Sequence, residues 1–423
     1  MLRTTDITSG CIIWDKVPFC KKEPPQVGKY LLKNGDIVIS RAGSVGYSFL
    51  IRNPSNAVFA SYLIRFRPLI NDKYLALYLK SPYYWDFISE ISLGISIPNV
   101  NASKLKQAPI PLPPLPEQHR IVAKIEELYT RLDAGVEALN RIKAELKRYR
   151  QAVLKSAFEG KLTEQWRPSI GVQHIEASEP NIGLPQGWTK SYLSEMGELS
   201  RGKSKHRPRD DKRLFEGKYP FIQTGDVKNS NGVMHSYNQT YNDIGLKQSR
   251  LWPVNTLCIT IAANIAETAL LGVSACFPDS IVGFIPNVKI CDVKYVHFFF
   301  KTIKDNLESF APATAQKNIN MGTLKKVSVP LPPLSEQHRI VEEIESRCSV
   351  SDEINQVVDR TLKRAERLRQ SILKRAFEGK LVSQDSRDEP ASVLLERIKE
   401  ERAKKGVEVR VKRGFGKRVK RSG

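Results

Sequence analysis

From residue 117 onward apolar residues recur at alternating spacings of three and four. One row takes Ile125, Leu132, Leu139, Leu146 and Val153, and the other takes Ile121, Leu128, Gly135, Ile142 and Tyr149. That spacing predicts one long amphipathic helix whose stripe needs a second helix to cover it. Pro116 sits at its start and Gly160 just beyond its last apolar residue, the places where proline and glycine delimit helices. The same pattern returns later, with Ile344, Val358, Ala365 and Ile372 in one row and Ile340, Ile354 and Leu368 in the other. Arg347, Ser351 and Thr361 also fall on that second seam and impoverish it. Ser335 is expected to cap this helix and Gly379 to follow it. About 42 residues at about 1.5 Å each make a rod of roughly 60 Å, too long for an ordinary core helix. The simplest cover for each rod is the other, packed antiparallel.

The two rods are copies. PLPPLPEQHRIV from Pro111 and PLPPLSEQHRIV from Pro330 both run without a gap to AFEGKL, so Arg120 pairs with Arg339, Asp133 with Asp352 and Phe158 with Phe377, always 219 positions apart. The segments before the rods differ in character. Residues 35–50 (GDIVISRAGSVGYSFL) and 255–271 (NTLCITIAANIAETALL) carry short β-rich runs broken by small residues, as in mixed α/β domains. They also echo one another: LRTTDI at 2–7 with IQTGDV at 222–227, and KYLALYLKS from 73 with KYVHFFFKT from 294. The expected fold is α+β, with two mixed domains joined and separated by two long antiparallel coiled-coil helices in a pseudo-two-fold arrangement. The divisions are a first domain at 1–108, a first rod at 109–163, a linker at 164–183, a second domain at 184–327, a second rod at 328–382, and a short helix with a basic tail at 383–423. LPQGW at 184–188 opens the second domain about 37 residues before IQTGDV, and nothing comparable precedes LRTTDI. The first domain is therefore expected to lack its opening.

Charge narrows the function. In 423 residues, 67 Lys and Arg against 45 Asp and Glu give a net charge of +22, which calls for a polyanionic partner. Two similar halves on one chain suit duplex DNA, itself two-fold. The six cysteines form no CxxC pair and no zinc-spaced Cys/His cluster, so reduced, mostly buried thiols of a soluble cytoplasmic protein are expected, with no metal. MLRTTDITSG does not have the pattern of a signal peptide and none is expected, and residues 257–276 are interrupted by Asn264 and Glu267, so buried strands are expected there and no membrane association.

Catalytic motifs are few. Residues 197–204 (GELSRGKS) satisfy the phosphate-loop pattern GxxxxGK[ST], but Pro208 and a charge run follow where that loop needs a helix. His119 and His338 at the rod starts are expected to be capping or contact residues. No methyltransferase cofactor loop or nuclease cluster stands out, and no cofactor is expected. Arg201, Lys203, Lys205, Arg207, Arg209, Lys212 and Arg213 crowd one expected loop, either to grip phosphates or as a solvated run. Candidate base readers are Gln223, Thr224, Asn229, Gln239, Gln248 and Arg250 in the second domain, and Arg3, Thr4, Thr5, Arg41 and Ser44 in the first. Arg148 and Arg367, in equivalent positions off the seam, face solvent, DNA or a partner subunit. Leu154, Phe158 and Phe377 are apolar and off the seam; they either pack on a globular domain or dock a partner.

The paired PLPPLxEQHRIV starts, heptad rods, FEGKL exits and LPxGW domain start resemble the specificity subunit of type I restriction–modification systems, over essentially the whole chain. The resemblance implies a non-catalytic subunit whose two target-recognition domains each read one half of a split double-stranded DNA sequence. It also implies docking of methyltransferase (modification) subunits and motor-nuclease (restriction) subunits. The other readings are a DNA-recognition subunit of a related combined restriction–methylation enzyme and a non-specific architectural coiled-coil DNA-binding protein.

Overall fold

The computed structural model describes residues 1–404 except 9, 55, 93–99, 168–182, 207, 209, 263–264 and 310–318, and only the backbone at 305–309. Two long helices span Leu115–Phe158 and Leu334–Phe377. The second begins at Leu334, two residues before a helix capped by Ser335 would, so Ser335 lies inside the first turn and is not the cap. The proline run supplies the first helical acceptors: Pro114 accepts from the Gln118 amide at 3.0 Å, and Pro333 from the Gln337 amide at 3.0 Å. Gly160 and Gly379 follow the last turns with φ of 70° and 71°, left-handed values that glycine adopts without a Cβ clash.

The chain divides into two compact units, Met1–Asn140 with Asp359–Gly423, and Arg141–Val358, so each unit holds the first part of one helix and the last part of the other. In the first unit a three-stranded antiparallel sheet places Ile37–Ser40 between Ser48–Leu50 and Leu63–Phe66. Its core joins Ile37, Tyr74, Tyr78 and Tyr84 to Ile121 and Ile125 of one helix and to Ile372, Ala376 and Phe377 of the other. Residues near the start of one helix thus meet residues near the end of the other, which is antiparallel packing. Asp133 pairs with Arg369, whose guanidinium lies 5.1 Å over the Tyr129 ring.

In the second unit Leu257–Thr260 has the equivalent central place, between Thr268–Leu271 and Ile281–Pro286. Gly197–Arg201 and Val233–Met234 extend this sheet to five strands. Both expected buried strands are fully buried. Thr189–Tyr192 pairs with Ser328–Leu331 and covers Val329 completely, whereas Ile110, the equivalent residue in the first unit, is 37% exposed. Val153, Leu154 and Ala157 pack with Ile340 and Ile344, again end against start, and Arg150 pairs with Asp352. Subtracting 219 from 352 and from 369 shows that Asp133–Arg369 and Arg150–Asp352 are one contact made twice.

Cover along the two rows is uneven. Ile125, Ile344, Val358, Ala365 and Ile372 of one row are buried, whereas the other row is buried only where it meets a domain core, at Ile121 and Ile340, and is exposed at Ile142, Tyr149, Ile354 and Leu368. Two helices cover each other along a single seam, and the second row lies beside it. The junction of the first rod and the expected linker is anchored: Thr163 donates to Glu336 at 2.7 Å and Arg167 pairs with it at 3.0 Å. After the second rod, Asp388 returns to Arg120 at 2.6 Å and a helix follows at 391–404. Cys258, Cys276 and Cys291 are buried and Cys11 and Cys20 exposed, all without disulfides. Among the described residues no helix is long and apolar enough to cross a membrane, and no group of three or more His, Cys, Asp or Glu could hold a metal ion.

Candidate nucleic-acid interface

In the second unit the chain enters a short turn between two buried anchors, Ile222 and Val227. The Gln223 amide donates to Asp226 Oδ2 at 2.8 Å, and the Asp226 amide returns a bond to the Gln223 carbonyl at 3.0 Å. The other Asp226 oxygen accepts from Asn238 Nδ2 at 2.7 Å. With both oxygens engaged, Asp226 fixes the turn, and Gln223 Nε2 donates to Gln239 Oε1 at 2.7 Å. Beside this pair lies a cavity of about 530 Å³, lined also by Ser204, Asp210, Lys212 and Thr224. Phe215 and Phe221 form its apolar wall, and Phe221 stacks on Tyr241 at 4.1 Å. Polar groups aimed from an aromatic wall are suited to a planar, hydrogen-bonding ligand. Three of the candidate base readers, Gln223, Thr224 and Gln239, are therefore gathered on one site with the basic Lys212. Asn229 is exposed at the end of the short helix Thr224–Asn229 and does not line the cavity.

The basic loop beside the cavity is braced from within. Asp211 accepts from Arg213 Nη2 and is 2.7 Å from His206 Nε2. The Arg213 guanidinium, its backbone N–H and His206 together hold that carboxyl well below the usual carboxylate range. Arg201 donates to the Asp279 carbonyl at 3.1 Å. Lys203 and Lys205 are exposed; Arg207 and Arg209 lie outside the described residues. The phosphate-loop match dissolves here, because Gly197–Arg201 is a strand paired with Ile281–Pro286. A Cβ at Gly197 would come within 2.2 Å of the Ile285 carbonyl and one at Gly202 within 2.3 Å of the Pro278 carbonyl, so both glycines serve close backbone approach.

Two expected base readers are consumed by the fold. Gln248 Oε1 accepts from the His206 amide at 3.0 Å, and its Nε2 is buried, so the side chain braces the basic loop. Arg250 pairs with Glu198 at 2.6 Å and lies 3.9 Å over the Trp252 ring. Its charge is neutralised and one face of its guanidinium is covered.

The first unit repeats the turn. Leu2 and Ile7 are the buried anchors. The Arg3 amide donates to Asp6 Oδ2 at 2.8 Å and the Asp6 amide returns to the Arg3 carbonyl at 3.1 Å. The Arg3 side chain grips the same carboxylate through Nε at 3.2 Å and Nη2 at 2.8 Å, which lowers the Asp6 pKa and raises that of Arg3. Thr4 is half-buried and Thr5 exposed in the helix Thr4–Ile7. Leu2 bonds to Val58 and Ala60, and the Arg41 amide to the Tyr62 carbonyl, so both candidate groups border one loop. Ser44 is exposed, with its carbonyl bonded to Ser40 Oγ.

On the helices, Leu154 and Phe377 are buried and Phe158 half-buried. Phe377 contacts Tyr74 and Tyr78 at 5.3 and 5.2 Å, and Phe158 contacts Tyr295 and Phe299 at 5.0 and 5.4 Å. All three pack on a globular domain, the first of the two expected readings, and Phe158 keeps part of its ring at the surface. Arg148 and Arg367 stay exposed. Sequence reasoning missed the exposed Val350 and Val357, which flank Ile354, a row position that is itself exposed. His119 meets Asn71 at 3.2 Å and His338 meets Asp292 at 3.5 Å, equivalent contacts between each rod start and its own domain.

The sequence profile described as type I restriction modification DNA specificity domain matches residues 6–148 and 185–360. The EcoKI specificity subunit of the type I restriction enzyme from Escherichia coli (strain K12) is 27% identical over 96% of this chain and 89% of its own length. The EcoBI specificity subunit from Escherichia coli is 28% identical over 77% of this chain and 71% of its own length. A chain solved in work on complex assembly and conformational transition of the type I R-M system superposes with a TM-score of 0.62, at 20% identity, over 83% of both chains. The HsdS subunit from Thermoanaerobacter tengcongensis superposes at 0.53, with 20% identity over 83% of this chain and 82% of its own.

Proposed function

The chain belongs to the type I restriction modification DNA specificity family, and from that premise we propose that it reads a split double-stranded DNA target and docks the modification and motor-nuclease subunits of such an enzyme. Each globular domain reads one half-site, and the paired helices set the number of unread base pairs between them. The chain contributes recognition and no chemistry, and it takes no cofactor; the methyl transfer and cleavage belong to its partners. The observation that carries this reading is the repeated turn, Gln223–Asp226 and Arg3–Asp6, each held by its own aspartate and each leaving a polar side chain exposed. Equivalent sites on two domains suit two half-sites.

Affinity comes from the loop around Lys203, Lys205 and Lys212, through phosphate contacts that release counterions. Arg148 and Arg367, with the exposed apolar side chains beside the seam, supply the surface for the partner subunits. Selection of bound sequences from random duplexes tests the proposal. A consensus in two parts with an indifferent gap is expected. Uniform, salt-labile binding with no consensus would overturn it in favour of an architectural role.

A further inference from the structure

Resting on that reading, we propose that Arg3 and Gln223 occupy one equivalent base-reading position, one in each domain, and that Arg3 selects guanine where Gln223 selects adenine. The equivalence is structural: each residue follows a fully buried anchor, each gives its amide at 2.8 Å to an aspartate three residues on, and each takes that aspartate's amide on its carbonyl. The backbone of the turn is thereby the same in both domains, and the side chain it presents is what differs.

The donor patterns left over define the two specificities. Arg3 meets Asp6 side-on, through Nε and one N–H of Nη2. Its terminal edge, made of Nη1 and the outer N–H of Nη2, has no partner among the described residues. Two parallel donors match the two acceptors, O6 and N7, that guanine shows in the major groove. The carboxylate also fixes the plane of the guanidinium before DNA arrives, so little rotamer freedom is lost on contact. Gln223 spends one N–H on Gln239. Its other N–H and its Oε1 make no side-chain hydrogen bond among the described residues, a donor beside an acceptor. That pair complements adenine, which offers N7 as acceptor and N6 as donor. The neighbouring cavity, walled by Phe215 and Phe221, gives the base edge room to approach.

The test uses the full chain assembled with its modification subunits, with the methylated motif determined from a random-sequence library. Arg3→Gln should change one guanine of one half-site to adenine, and Gln223→Arg one adenine of the other half-site to guanine. Each preference should shift by about ten- to a hundred-fold, with the spacer and the opposite half-site unaltered. An unchanged motif for both variants overturns the proposal. If an exchange silences methylation, the alanine variants decide: one position made indifferent supports the proposal, and weakening of every position alike overturns it. A parent chain that yields no split motif would refute the DNA-reading assignment beneath it.

Discussion

Phe377→Ala separates packing from docking most sharply, because the residue stands at the end of the second helix yet belongs to the core of the first domain. Its ring is 7% exposed and meets Tyr74 and Tyr78 edge-on, at interplanar angles of 64° and 85°. Truncating a buried phenylalanine costs about 3–5 kcal/mol, through lost transfer energy and the cavity left behind. Two aromatic contacts of about 0.5–1.5 kcal/mol each fall within that sum. A loss of about 3 kcal/mol in local opening free energy speeds amide exchange by roughly two orders of magnitude. Hydrogen exchange on the full chain should show this at Asp72–Tyr78 and leave residues 295–304 unaffected. Phe158→Ala should do the reverse more weakly, since Phe158 is only half-buried. Unchanged exchange at Asp72–Tyr78 in Phe377→Ala would refute the crosswise packing.

Three further outcomes follow from the same geometry. Glu336 is fully buried and accepts from Trp188 Nε1, Thr163 and Arg167, so Glu336→Gln should destabilise the second unit by about 3–5 kcal/mol, seen as a lower midpoint in denaturant with Trp fluorescence as the probe. Burial depresses the His297 pKa from 6.5 to about 3, so the unfolded chain takes up a proton that the folded one refuses; the stability this gives is complete above pH 6.5 and is lost as pH falls toward 3. By pH 5 the loss should be about 2 kcal/mol, and a His297→Gln chain should lack that part of the pH dependence. Four residues added to both long helices at equivalent positions should lengthen each by about 6 Å and widen the unread spacer by about two base pairs at about 3.4 Å each, read by methylation mapping; an unchanged spacer would remove the helices as its ruler.

The helices were legible in the sequence because a period near 3.5 and a repeat without a gap are statements about neighbours in the chain. Ile125 and Ile372 therefore fell where expected. Phe158 and Phe377 were left open between two readings, since an apolar residue off the seam fits a domain core and a partner's surface equally well until its contacts are known. The base readers divide in the same way. The echo of LRTTDI in IQTGDV was visible, but the clasp by Asp6 and Asp226 depends on side-chain direction, which the echo does not specify. Arg250 read as a free cation because Glu198 and Trp252 reach it only through the sheet, and Gln248 as a free amide because its partner is a backbone N–H at His206. Ile110 shows the limit of the repeat itself: its counterpart Val329 is covered by Thr189–Tyr192, whereas Ile110 is exposed.

Sequencing of methylated bases in cells that express this chain with the modification and restriction subunits proposed for it tests the central claim most directly. Two short defined blocks separated by a fixed run of indifferent bases, with one methylated base on each strand, are the expected result. A continuous motif, or methylation that stays the same when this chain is removed, would contradict it.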